Sequence, residues 1–226
     1  ATSTALCMMS LRMMGSTNHD YLVPNRFDFG YGLSPEIVEV AAQQQAEVIM
    51  TVDNGIACFA GVEKAKSLGI TVIVTDHHLA AESLPIADAI VNPNQKGCGF
   101  LSKNLEGVGV AFYLMLALRA ELKSNGWFVQ QGLPVPNLAD FLDIVALGTV
   151  ADVVPLDENN RILVHQGLQR IRSDKCRPGI QAIIEVAGKE RSRLVASDLG
   201  FVFGPRFNAS GRLDDISFGI ECLITV

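Results

Sequence analysis

Two five-residue runs limit what this chain can fold into more than anything else in it: Val48-Ile49-Met50-Thr51-Val52 and Ile70-Thr71-Val72-Ile73-Val74. Both are rich in the β-branched residues that favour strands. Between them lies a stretch of helix length, about residues 57–68, closed by Gly69 as a helix stop. Strand, helix, strand in this order predicts a parallel pair with a right-handed crossover. The first run ends in Asp53-Asn54-Gly55 and the second in Thr75-Asp76-His77-His78. The carboxyl edge of an open α/β sheet is where ligands bind. Acids and imidazoles leaving two strands at one edge suggest a metal site.

The rest of the chain extends this frame. Residues 2–14 read as a helix stopped by Gly15, and 21–23 as a short strand ended by Pro24. Ser34-Pro35-Glu36 is a helix start, with a capping hydroxyl, Pro in the first position and an acid in the first turn. Residues 89–91 read as a further strand and 95–106 as a loop. Helices are then expected over 107–123, 138–147 (capped by Asn137), from Asn159 or Asn160 to about 172, and from Pro178 to about 186. Ser197-Asp198 reads as the cap of a later one, and 216–226 looks helical. The expected fold is α/β: a parallel sheet with flanking helices over residues 1–94, then a mainly helical layer over 95–226. The two parts read as one catalytic core rather than independent domains.

With 226 residues, 49% of them hydrophobic, the chain can bury a sizeable core. No apolar run reaches the ~20 residues of a membrane helix. The longest, 107–118, is closed by Arg119 and Glu121 and reads as a buried core helix. Ala1-Thr2-Ser3-Thr4 lacks the basic start of a secretory signal. Cys7, Cys58, Cys98, Cys176 and Cys222 form an odd, scattered set, which argues against a disulfide framework and a zinc site. A reducing cytoplasm is the expected setting. Net charge is -6, so the composition as a whole is not that of a nucleic-acid binder. Residues 161–212 nevertheless hold ten Lys/Arg against four Asp/Glu. A basic stretch beside an acidic half suits a polyanionic substrate, and it equally suits ordinary solvated helix faces.

Asp53 ahead of Asn-Gly also fits plain turn chemistry. Asp76-His77-His78 is sharper, because an acid and two adjacent imidazoles leaving a buried strand have few structural uses. A third group, Gly148-Thr149-Val150-Ala151-Asp152, follows the apolar run 141–147. Together the three segments offer Asp53, His77 and Asp152 as ligands. Mixed carboxylate and imidazole suits Mn²⁺ or Mg²⁺ better than structural zinc.

Val52-Asp53-Asn54-Gly55, Thr75-Asp76-His77-His78 and Gly148-Thr149-Val150-Ala151-Asp152, in this order, resemble three motifs of the DHH phosphoesterase superfamily. Within it the chain is similar to the bacterial exonucleases specific for single-stranded DNA. Pro24-Asn25-Arg26 with Gly30-Tyr31-Gly32, Gly107-Val108-Gly109-Val110-Ala111, and Gly204-Pro205-Arg206-Phe207-Asn208-Ala209-Ser210-Gly211-Arg212 belong to the same likeness. The resemblance implies two-metal hydrolysis of DNA from its 5′ end, in repair and recombination. It implies Asp53 as the carboxylate between two ions, His77 and Asp152 as ligands of one of them, and His78 as the imidazole facing the phosphate. Asp76 would orient an imidazole through its ring N–H. Arg26, Arg206, Asn208 and Arg212 would bind phosphate or support the site. The implied partners are single-stranded DNA and a single-strand-binding protein or a helicase, with no membrane. Alternatives are a phosphatase of pyrophosphate, oligonucleotides or cyclic dinucleotides, and a non-catalytic scaffold relative.

The superfamily's first motif, an Asp-x-Asp on a central strand, has no counterpart in residues 1–25, and its C-terminal substrate-binding domain has none either. The expectation is therefore an internal fragment of a catalytic core, inactive or nearly so alone.

Overall fold

The computed structural model describes residues 1–23, 32–207 and 217–225. Three parallel strands form its sheet: β1 (Val48–Val52), β2 (Thr71–Thr75) and β3 (Ala89–Val91), in that spatial order. Val48 pairs with Thr71 and Val52 with Thr75, so β1 and β2 end level. Thr75 in turn pairs with Val91. This shared register carries Asp53 and Asp76-His77-His78 to the same edge.

The helices arise where the chain signals them. Helix α1 (Thr2–Met13) precedes the sheet and ends before Gly15, whose φ of 94° is open to glycine at little cost. Helix α2 (Pro35–Gln43) starts on Ser34, whose side chain accepts from the Ile37 N–H at 3.4 Å. Helix α3 (Phe59–Ser67) joins β1 to β2. Beyond the sheet come α4 (Gly107–Ser124), α5 (Leu142–Ala151), α6 (Glu158–Arg172), α7 (Pro178–Val186) and α8 (Ser217–Ile224).

Four local expectations change. Residues 21–23 join no strand ladder among the described residues. Helix α6 is capped by Asp157 rather than an Asn, its carboxylate accepting from the Asn160 N–H at 3.0 Å. The stretch after Val195 is a single turn, Ala196–Asp198, followed by a π-helical segment, Leu199–Phe203. Gly148 does not end a helix, because α5 runs on to Ala151. A Cβ on Gly148 would lie 2.7 Å from Thr2 Oγ1 and 2.8 Å from Val108 Cγ1. The glycine is there to let α1 and α4 approach.

Two apolar cores result. The smaller joins Ile37, Val38, Val62, Ala65, Val72 and Val74, sealing α2 and α3 onto the sheet. The larger gathers α1 with α4 to α8, and Met50, Val52 and Val91 pack against it. The sheet is thus covered on both faces, as a parallel sheet requires. Among the described residues, no helix is long and apolar enough to cross a membrane. The five cysteines are free. Burial pushes the Cys7 thiol up to about 12, which makes it inert.

Candidate metal centre

Asp53 leaves β1 in the left-handed region, at φ 60°. Such a conformation is uncommon outside glycine but tolerated by Asp and Asn. The turn is tied from both sides. Asn54 Nδ2 donates to the Val52 carbonyl at 2.8 Å, and Thr51 Oγ1 donates to the Asn54 carbonyl at 2.7 Å.

At the end of β2, Asp76 is 1% exposed. Its Oδ1 accepts from the His77 and His78 N–H groups at 2.8 and 3.2 Å, and lies 2.6 Å from His78 Nδ1. Its Oδ2 accepts from the Ile56 N–H at 3.0 Å, which binds the Asp53-Asn54-Gly55 turn to β2. Burial pushes the Asp76 carboxyl up, but the Ile56 N–H and the His78 ring and N–H groups together hold it below the usual carboxylate value.

His77 Nε2 points between two carboxylates, 3.1 Å from Asp53 Oδ1 and 3.6 Å from Asp152 Oδ2. Asp152 arrives from the end of α5. Burial lowers the His77 pKa, and Asp53, Glu106 and Asp152 outweigh it, leaving the imidazole above its ordinary value. Asp152 is raised by burial and by the Asp53 charge. His78 stacks obliquely on His77, with centroids 4.5 Å apart, and its side chain is 60% exposed.

Ligand atoms of Asp53, His77 and His78 all lie within 4.8 Å of one another. Asp152 stands at the rim of this group, through His77. Apart from this ion pair with His77, the solvent-shielded Asp53 Oδ1 has no hydrogen-bond partner among the described residues. An orphaned carboxylate oxygen 3.1 Å from a ring nitrogen fits one hard cation, since neighbouring octahedral ligands at about 2.1 Å stand about 3 Å apart. The oxygen and nitrogen donors suit Mn²⁺ or Mg²⁺.

Three residues at this edge were not legible as site residues. Glu106, 3% exposed, is the N-cap of α4, and its Oε2 accepts from the Val108 N–H at 2.6 Å. Burial, and then the Asp53 charge, push its carboxyl up to about 8. The only sequence signal for it is an acid directly before an apolar helix. Asn92 Nδ2 donates to the His78 carbonyl at 2.9 Å, and Asn94 Nδ2 to the His77 carbonyl at 2.6 Å. The Asn-Pro-Asn triplet reads in sequence only as a strand end.

The predicted phosphate binders are placed differently. Arg26, Asn208 and Arg212 lie outside the described residues. Arg206 Nη1 donates to the Val202 carbonyl at 2.6 Å. It lines an apolar cavity of about 330 Å³ with Ile183, Val186, Phe207 and Phe218, and it does not join the ligand group.

Known proteins are similar to this chain in sequence and fold. Over 224 residues the chain is 62% identical to the single-stranded-DNA-specific exonuclease RecJ of Escherichia coli K12, covering 99% of this chain and 39% of that protein. It superposes on a crystal structure of exonuclease RecJ bound to manganese with a TM-score of 0.80 and 32% identity, covering 99% of this chain and 53% of that one. Against RecJ from Thermus thermophilus in complex with Mn²⁺ the TM-score is 0.73 at 30% identity, covering 99% and 30% of the respective chains. The chain therefore spans about two fifths of the length of its E. coli relative. Residues 1–149 match the DHH family, N-terminal domain. With the Asp-His-His segment at the strand end and the sheet edge built around it, this match makes the chain a member of the DHH family.

Proposed function

We propose that this chain is catalytic-core sequence of a metal-dependent exonuclease that hydrolyses single-stranded DNA from its 5′ end, in repair and recombination. The observation that carries the reading is the convergence of Asp53, His77 and His78 on one point, with Asp53 Oδ1 left without a hydrogen bond. The relatives named above supply the substrate class.

Asp53 and His77 would hold the ion, and Asp152 would complete the set from α5. Divalent ions bound there supply an activated water and offset charge on the phosphoryl oxygens. His78 acts next to them. Asp76 fixes its ring through Nδ1, so Nε2 faces outward, available to a non-bridging phosphate oxygen. Asn92 and Asn94 keep the His77-His78 backbone from drifting. Arg26, Asn208 and Arg212 are the phosphate-binding candidates. Arg206 suits that role less, since its guanidinium is turned to a backbone carbonyl beside an apolar cavity. Single-stranded DNA is the substrate, the cytoplasm the place of action, and a single-strand-binding protein or a helicase the partner this chemistry calls for.

The test uses the full-length gene product with Mn²⁺ and a long 5′-phosphorylated single strand. Mononucleotides are expected from the wild type. Asp53→Asn, which keeps the turn, should cut turnover by at least about 100-fold while DNA binding persists. Wild-type turnover in that variant would sink the reading. Faster hydrolysis of pyrophosphate or a dinucleotide than of the long strand would favour the phosphatase alternative.

A further inference from the structure

We propose that Glu106 is a positioning residue of the metal centre: by capping α4 it holds Gly107 against Asp53 and so sets the aim of that carboxylate. The inference rests on the reading of Asp53 and His77 as metal ligands.

Apart from its ion pair with His77 Nε2 at 3.1 Å, the Asp53 carboxylate has few partners. Its Oδ1 makes no hydrogen bond, and its side chain is 43% exposed. It also touches the first residue of α4. A Cβ on Gly107 would lie 2.5 Å from Asp53 Oδ1 and 2.7 Å from its Cβ and Cγ. The carboxylate therefore rests on bare backbone, in the space a side chain would fill. A shift of the helix end by a fraction of an ångström displaces the ligand.

The end of α4 is held by Glu106. The first N–H groups of a helix have no partner within it, and they need a cap or water. Further along, Val108, Val110, Ala111, Phe112 and Met115 lock the helix into the large core. At its very start the Val108 N–H is satisfied by Glu106 Oε2. Glutamate is an unusual choice, because Ser, Thr, Asp and Asn are the favoured caps. Burying a carboxyl beside Asp53 and Asp152 also costs stability. A cap chosen for helix stability alone would be shorter. The buried Glu106 carboxyl is also close enough to Asp53, Asp152 and His77 to feel their charges.

The experiment is Mn²⁺ titration by calorimetry on the full-length gene product, with a thermal melt of each variant. Glu106→Gln keeps an oxygen for the Val108 N–H and should bind Mn²⁺ within about threefold of wild type. Glu106→Ala loses the cap and should bind at least about tenfold more weakly. A wild type that takes up no Mn²⁺ would refute the proposed function itself. Should the wild type bind and Glu106→Ala bind as tightly, only this inference falls. It falls too if Glu106→Gln weakens binding as much as Glu106→Ala does. If Glu106→Ala does not fold, Gly107→Ala carries the test with the cap intact. Its methyl group enters the place of Asp53 and should weaken Mn²⁺ at least about tenfold, and undiminished affinity there would overturn the proposal.

Discussion

Asp76 does for the backbone what it does for the imidazole. One carboxylate gathers the N–H groups of Ile56, His77 and His78 together with the His78 ring, so it joins the β1 turn to the β2 end. These bonds outweigh burial and hold its pKa below the ordinary 3.8. A carboxyl with a lowered folded pKa stabilises the protein above its unfolded value, and that stability disappears as pH falls through the folded one. In chelator, the wild type should thus lose stability in acid below about pH 4. Asp76→Asn should be less stable at pH 7 by about 2 kcal/mol and show less of this acid loss, as urea unfolding at the two pH values will report. On the proposed exonuclease reading, the same change in the full-length gene product should slow DNA cleavage by about 10- to 100-fold, because it frees the His78 ring. The acid beside two histidines is readable from the sequence, since all three are neighbours in it. Glu106, Asn92 and Asn94 are not. The two Asn act only once the loop after β3 folds back on His78 and His77, 14 and 17 residues away along the chain, and Glu106 only once the start of α4 meets Asp53.

Between elements, glycines decide how close helices come. Gly167 lies within α6, where a Cβ would stand 2.2 Å from the Leu142 carbonyl oxygen and 2.4 Å from Ala146 Cβ. Alanine is the better helix former by about 1 kcal/mol. Overpacking typically costs about 1–3 kcal/mol, and here the obstacle includes backbone, which cannot rotate away. Gly167→Ala should therefore lower the melting temperature, by roughly 2–6 °C. It should also weaken Mn²⁺ binding slightly, since α5 carries Asp152 at its end; an unchanged or raised melting temperature would contradict the packing argument. The strands, their parallel pairing and most helices are predictable from β-branched runs and caps. The extension of α5 through Gly148 is not. A glycine that stops a helix and one that admits a neighbour look alike until Thr2 and Val108 are in place.

Across the whole molecule, five of the ten basic residues of 161–212 sit in ion pairs. Arg170 pairs with Asp140, and Arg177 with the fully buried Asp143 while stacking on the Phe141 ring at 4.6 Å. Lys189 pairs with Asp198 at 2.9 Å, Arg191 with Asp174, and Arg193 with Glu190 at 3.0 Å. Two of these acids come from the start of the α5 region, outside the stretch that a charge count along the chain isolates. A groove lined by these side chains is therefore not what the charge count alone would lead one to expect. If they made phosphate contacts, replacing Arg191 and Arg193 by Gln would change the salt slope of single-strand binding by about 0.7 per contact. We expect a smaller change, measured by fluorescence anisotropy across salt concentrations. The proposed metal ligands are arranged in the opposite way: they are spread over the ends of β1, β2 and α5, so that no one of these elements would hold an ion alone. An ion that binds only the assembled edge rivets it, adding about 2.7 kcal/mol when free ion exceeds the dissociation constant a hundredfold. Divalent-ion starvation would then shorten the life of the polypeptide as well as idle its chemistry, exposing the unriveted sheet to proteases.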